Sequence, residues 1–179
     1  LLRTAEALNS AEGFALLDVQ EAVRLREAGF RQKILLLEGF FTADDLPLLA
    51  AYELDTVIHS QHQIDMLDAY PRRGSLSVWL KSHPAVREVT LMTHFSHADE
   101  EEGVAVQLER FNTLAAPYRA ARSLANSAAL LRYPATHGDW VRPGIMLYGV
   151  SPFAGQGAVQ FGLRPEDVLN QNYYANVAA

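Results

Sequence analysis

The chain has 179 residues, 49% of them hydrophobic and 20% charged, which suits one soluble globular domain with a substantial core but falls short of the roughly 250 residues of a complete (β/α)8 barrel. A formal net charge of -6 without grouped lysines and arginines argues against nucleic-acid binding, because neutralising phosphates takes a clustered basic surface. Cysteine is absent, which leaves no disulfide framework or thiolate metal site; the longest apolar runs fall far below the roughly 20 residues of a membrane span and no signal-peptide pattern opens the chain, so the reading is cytoplasmic.

Leu1 to Ala11 reads as a helix, with Leu1, Ala5 and Leu8 recurring near one face. Phe14 to Leu17 is a short apolar run of the kind found in a strand buried on both faces. Asp18 then caps a helix, with Glu21 placed as in a capping box and Gly29 ending it. The unit recurs: Lys33 to Leu37 predicts a strand, and Thr42 or Asp44 caps a helix through Leu46, Leu49 and Tyr52, with Pro47 tolerated in its first turn. Asp55 to Ser60 and Ser75 to Lys81 predict further strands, with a helix from Gln63 to Ala69 between them. Val86 to His94 predicts another strand, followed by an amphipathic helix from about Val104 to Leu114 whose apolar stripe is Val104, Leu108, Phe111 and Leu114. Arg122 to Asn126 and Asp139 to Arg142 complete a series of about seven strands.

Strands recurring every 20 to 30 residues or so, with helices between, imply parallel pairing through right-handed crossovers. By pattern alone a barrel and an open doubly wound sheet fit equally. The opening helix has no strand before it, which predicts that its own strand lies upstream. One junction is irregular: only Ser82-His83-Pro84-Ala85 separate two strands, where a parallel crossover takes at least about 10 to 12 residues. Either those strands pair differently or a segment is missing there.

Barrel enzymes keep reactive groups at the carboxyl ends of their strands. Lys81, His94, Asn126 with Ser127, and Arg142 fall at four such ends in succession. Each has a plain alternative: a solvated lysine, a packed histidine, a helix N-cap and a surface cation. In Asp139-Trp140-Val141-Arg142-Pro143-Gly144-Ile145-Met146-Leu147-Tyr148-Gly149 an arginine ends a strand just before Pro-Gly, which sets backbone amides beside a fixed cation and so suits an anion. An edge strand with a turn is the alternative there. Tyr148 reads as a packing residue.

Taken together and in this order, Leu91-Met92-Thr93-His94-Phe95, Ala125-Asn126-Ser127-Ala128 and the 139–149 block resemble the N-terminal barrel of the alanine racemases. The resemblance runs from Leu1 to about Pro165, with an internal gap near 81–86, and implies an α/β chain forming an incomplete TIM-like barrel that lacks the first strand and the C-terminal β domain. The tail 166–179 leaves the family pattern and is expected to be poorly ordered. The implied function is interconversion of L-alanine and D-alanine with pyridoxal 5'-phosphate, by two-base proton transfer, in a cytoplasmic homodimer, for D-alanine supply to peptidoglycan precursors or for catabolism. Neither nucleic acid, membrane nor metal is expected.

Residue by residue, the resemblance makes His94 the imidazole lying against the cofactor ring, Ser127 a phosphate ligand, and Arg142 the cation facing the pyridine nitrogen. Gly144 and Ile145 become the positions whose amides reach the phosphate. Lys81 matches a lysine carbamylated in many members, but the Asp-Thr-Gly-Met stretch and the arginine it would orient do not follow it here. The family's cofactor lysine lies in a Lys-Ala-Asn-Ala-Tyr-Gly-His-Gly motif, and its second base is a tyrosine of the C-terminal domain; neither motif is in this sequence. Tyr173 and Tyr174 lack the tyrosine's context. No catalytic residue is therefore assigned, and the polypeptide alone is expected to be inactive. The alternative readings are a noncatalytic pyridoxal-phosphate-binding barrel fragment and a degraded gene product.

Overall fold

Apolar strands flanked by amphipathic helices bury most surface when the strands pair side by side and the helices cover them. The computed structural model shows this in residues 1–67, 83–84 and 86–162, which are the residues described. The expected strand at 75–81, with Lys81, and the tail at 166–179 lie outside them. The chain divides into two compact units, Leu1–Trp79 and Leu80–Ala179.

In the first unit, β1 (Gly13–Leu16), β2 (Lys33–Leu36) and β3 (Asp55–Thr56) form a sheet in that order, all parallel. The crossovers are α2 (Val19–Glu27) after β1, and a 3-10 turn (Ala43–Asp45) leading into α3 (Leu46–Ala51) after β2. α1 (Leu2–Ala7) precedes β1 and is shorter than expected, burying Ala5. Central β2 carries the best-covered side chains, Ile34 and Leu36. Among the described residues β1 is one of the two edge strands of this sheet, and it is not buried on both faces as its apolar run suggested: Ala15 and Leu17 are exposed, while Phe14 packs edge-on against Phe30. Asp18 caps α2 as expected, accepting from the Glu21 amide at 2.9 Å. At the next helix entry Thr42 holds the N-cap position, but the carboxylate that collects the amides of Phe41 and Thr42 belongs to Asp45. α4 (Gln61–Leu67) follows β3.

One side chain stitches these crossovers together. Arg26, in the last turn of α2, donates to the carbonyls of Tyr52, Phe30, Gln32 and Glu53 at 2.9, 3.0, 2.7 and 3.1 Å. Two of those carbonyls lie where the chain leaves α3 through the left-handed region at Glu53 (φ 49), so the guanidinium secures a turn that a non-glycine residue adopts at some cost. Arg26→Ala should lower unfolding stability by about 2 to 3 kcal/mol, since several charge-assisted bonds vanish and their carbonyls lose a partner. Urea unfolding followed by far-UV circular dichroism checks this, and Arg26→Lys should recover only part of the loss.

In the second unit, β4 (Thr90–Met92) and β5 (Ala121–Ser123) pair in parallel, and Trp140 joins Ser123 by an isolated parallel bridge. The three strands expected here are thus shorter than their apolar runs, and the third is a bridge. Pairing still continues past it: Asp139 and Trp140 both donate to the Arg122 carbonyl, the Asp139 carboxylate accepts the Arg122 amide at 2.8 Å, and the Arg142 amide reaches the Ala125 carbonyl. A side-chain acceptor has replaced one rung of the ladder. α5 (Ala105–Ala115) is the expected amphipathic crossover, but its buried side runs from Val104 through Leu108 and Phe111 to Ala115, and Leu114 is 74% exposed. α6 (Ser127–Arg132) follows β5 at once. Its core partners are Phe95, Val104, Leu124, Met146 and Phe153.

Candidate functional site

Parallel pairing brings the carboxyl ends of β4, β5 and the Trp140 bridge to one edge of the second unit, and four of the sequence-derived site residues leave from these ends. His94 and Ser127 follow β4 and β5, and Arg142 with Gly144 follows the bridge. Lys81 lies outside the described residues.

Arg142 is the best-anchored of them. Its Nη1 donates to Ser123 Oγ at 2.6 Å, and its Nη2 donates to the carbonyls of Thr93 and, more weakly, Leu124, at 2.8 and 3.4 Å. All three acceptors are neutral, and among the described residues no carboxylate pairs with this guanidinium and no group takes its Nε–H. Burial pulls its pKa down to about 10, which still leaves it a cation at neutral pH. A fixed and uncancelled positive charge results.

His94 adjoins it on Thr93. Loss of water contact, and then the Arg142 charge, hold its pKa below the ordinary histidine value, so the ring is neutral at pH 7. The folded chain therefore takes up this proton less readily than the unfolded one. Acidification through the ordinary histidine range costs stability, and the cost stops growing below the folded midpoint. Arg142→Met should raise the His94 midpoint part of the way back, because desolvation is the larger cause. NMR titration of the imidazole checks this, and an unmoved midpoint would take Arg142 out of its electrostatic surroundings.

Ser127 is buried at 6% exposure and is the first helical residue of α6, not its cap. The cap is Asn126, whose Oδ1 accepts the Ala129 amide at 3.0 Å while its Nδ2 donates to the Phe95 carbonyl at 2.9 Å. One side chain thus ties the helix start to the loop that carries His94. Ser127 Oγ accepts the amides of Gly144 at 2.8 Å and Met146 at 3.4 Å. A hydroxyl has two lone pairs and one hydrogen, so with both acceptor sites engaged Ser127 can only donate outward. Among the described residues nothing accepts that hydrogen, and nothing accepts the Ile145 amide beside it.

Ile145 is 49% exposed at the head of a 3-10 turn (Ile145–Tyr148), and a Cβ added at Gly144 would meet only Ser127 Oγ, at 3.9 Å. Tyr148, expected to pack, is 67% exposed, because this turn buries Met146 instead. The arrangement offers one planar cation with a spare N–H, a flat neutral imidazole, and a hydroxyl and an amide free to donate. That set suits a ring bearing an unprotonated nitrogen and an anionic tail. Ser123 and Thr93 were missed from sequence. Their signal, a hydroxyl and a carbonyl on strands adjacent to an arginine, exists only once pairing is known.

The sequence matches the family described as alanine racemase, N-terminal domain, over residues 1–83 and 80–152. The chain belongs to the alanine racemase family. A curated alanine racemase of Nitrosospira multiformis is 51% identical over 191 residues, covering 92% of this chain and 54% of the relative. The chain spans about half the length of the curated relatives it matches. The solved biosynthetic alanine racemase of Pseudomonas aeruginosa superposes with a TM-score of 0.79 at 36% identity, covering 91% of this chain and 53% of that one. At 20% identity and a TM-score of 0.64, the Bartonella henselae alanine racemase, solved with covalently bound pyridoxal phosphate, shares the fold over 79% of this chain and 49% of its own. The fold of this alanine racemase family member is accordingly a partial TIM-like barrel with parallel strands. No described helix is long and apolar enough to cross a membrane, and no described cluster of three or more His, Asp or Glu could hold a metal.

Proposed function

We propose that this chain forms the cofactor-holding part of an alanine racemase that interconverts L- and D-alanine with pyridoxal phosphate, in a cytoplasmic homodimer. The observation that carries the reading is the donor set just described, above all Ser127, whose hydroxyl has only a hydrogen left to offer. When bound, pyridoxal phosphate supplies an electron sink that acidifies the α-hydrogen of an amino acid.

The chain's own residues shape that chemistry. Arg142 would hold the ring nitrogen through an N–H that it does not surrender, which would favour an unprotonated nitrogen and limit charge withdrawal into the ring. That favours removal and return of one proton over deeper side reactions. His94, neutral, would pack against the ring. The Ser127 hydroxyl and the Ile145 amide would donate to the phosphate, while the Gly144 amide, expected there from sequence, donates instead to Ser127 Oγ and holds it in place. Lys81, the candidate carbamylated residue, has no matching arginine in the sequence.

The two proton-transfer bases are not among these residues. With neither the lysine motif nor the tyrosine motif in the sequence, the 179-residue polypeptide should bind pyridoxal phosphate noncovalently and racemise nothing. Titration followed by tryptophan fluorescence should show saturable uptake, borohydride should leave the cofactor unattached, and a polarimetric assay should show no loss of L-alanine. Covalent labelling, or racemisation at an ordinary enzymatic rate, would refute the noncatalytic reading; absence of uptake would refute the cofactor reading. The division of the family match at residues 80–83 supports the view that the crossover after Lys81 is missing.

A further inference from the structure

Arginine inside a protein is commonly fixed by a carboxylate, which orients the guanidinium and neutralises it together. Arg142 is oriented differently. Ser123, the last residue of β5, connects three neighbouring segments: its carbonyl accepts the Thr93 amide at 3.3 Å, its backbone forms the bridge to Trp140, and its buried Oγ accepts Arg142 Nη1 at 2.6 Å. The Thr93 carbonyl takes Nη2 from the β4 side. With both terminal nitrogens held from one side, rotation of the planar group is blocked and Nε–H keeps one direction.

We propose that Ser123 is a positioning residue for Arg142, fixing the guanidinium through a neutral acceptor so that its full charge and its Nε–H remain available to the ring nitrogen of the cofactor. The part of this that concerns the cofactor rests on the pyridoxal phosphate reading above; the part that concerns Arg142 does not. A hydroxyl suits the role because it accepts without bringing a charge of its own. A carboxylate at this position would orient Arg142 and cancel it. Alanine would leave Nη1 without an acceptor and the guanidinium held through Nη2 alone.

The test uses the 179-residue chain and its Ser123→Ala and Ser123→Thr variants, with two readouts. The first, without ligand, is hydrogen exchange of the Arg142 guanidinium in a 15N-labelled sample, assigned by its disappearance in Arg142→Lys. The second is the dissociation constant for pyridoxal phosphate from tryptophan fluorescence. Ser123→Ala should speed Arg142 exchange at least tenfold and weaken cofactor binding about tenfold, with the thermal transition still cooperative, and Ser123→Thr should restore both. Exchange unchanged in Ser123→Ala overturns the proposal, as does a Ser123→Thr chain that folds cooperatively yet restores neither value. If the parent chain takes up no pyridoxal phosphate, the functional reading and the cofactor part of the proposal fall together. Faster Arg142 exchange in Ser123→Ala would then show that the contact itself stands.

Discussion

Arg142→Ala is expected to weaken pyridoxal phosphate binding by this chain about 100-fold, equivalent to about 2.8 kcal/mol. Two losses combine. On the proposed placement of the cofactor, its ring nitrogen would lose a facing cation and N–H, and the Ser123 hydroxyl and the Thr93 and Leu124 carbonyls lose the group that joins them. The second loss should also lower unfolding stability by about 2 to 3 kcal/mol, the usual range for deleting a charged donor from partly buried acceptors. Arg142→Lys separates the two. A lysine keeps the charge but is a single point donor on a flexible stem, and it cannot reach acceptors on both β4 and β5 while presenting an N–H outward. Its stability should recover by about half, with binding still at least tenfold weaker than in the parent. Titration and urea unfolding on the same samples give both numbers. Full binding by the lysine variant would mean that charge alone suffices and that the fixed geometry of the guanidinium is irrelevant.

Much of this site was legible in the sequence because its members sit at strand ends, and strand ends can be found from short apolar runs followed by polar residues. His94 and Arg142 were reached that way, and Arg142 bonds the carbonyl of Thr93, the residue before His94. The part that was not legible depends on pairing. Nothing in the run from Arg122 to Asn126 says that Ser123 will face an arginine nineteen residues later in the chain, because register between strands is set by the whole sheet. The choice of helix cap was left open for a related reason. Asparagine and serine are both good caps, and only the dihedrals of Asn126 (φ -86, ψ -173) decide between them, leaving Ser127 free for its contact with the 144–146 turn. The buried face of a helix was legible only in part. Leu114 fits the stripe of α5 by spacing, but the surface that the helix covers turns toward Ala115 at its last turn. The likeness to a family resolved the choice between a barrel and an open sheet, which periodicity had left open.

The largest effect in the first unit should come from a single methyl group. Gly39 lies in the turn that leaves β2, at φ 77, and a Cβ built there would collide with Gln63 Nε2 and the Val57 carbonyl. Gln63 is 3% exposed and fully engaged: its Nε2 donates to the carbonyls of Glu38 and Phe40, both at 3.2 Å, and its Oε1 accepts the amides of His59 and Ser60 at 2.9 and 3.3 Å. That one amide fastens the loop after β2 to the loop after β3. Gly39→Ala would impose a left-handed conformation on a residue with a side chain, costing about 1 kcal/mol, and would drive Gln63 from its four partners, costing about 2 kcal/mol more. The control is Gly29→Ala, which also has positive φ (94) but has nothing within 4 Å of the new methyl. It should cost only the backbone part, about 1 kcal/mol. Urea midpoints for the two variants therefore separate conformational strain from collision. If Gly39→Ala unfolds no earlier than Gly29→Ala, the Gln63 amide does not hold the two loops together, and the strand ends of the first unit must be fixed by the sheet alone.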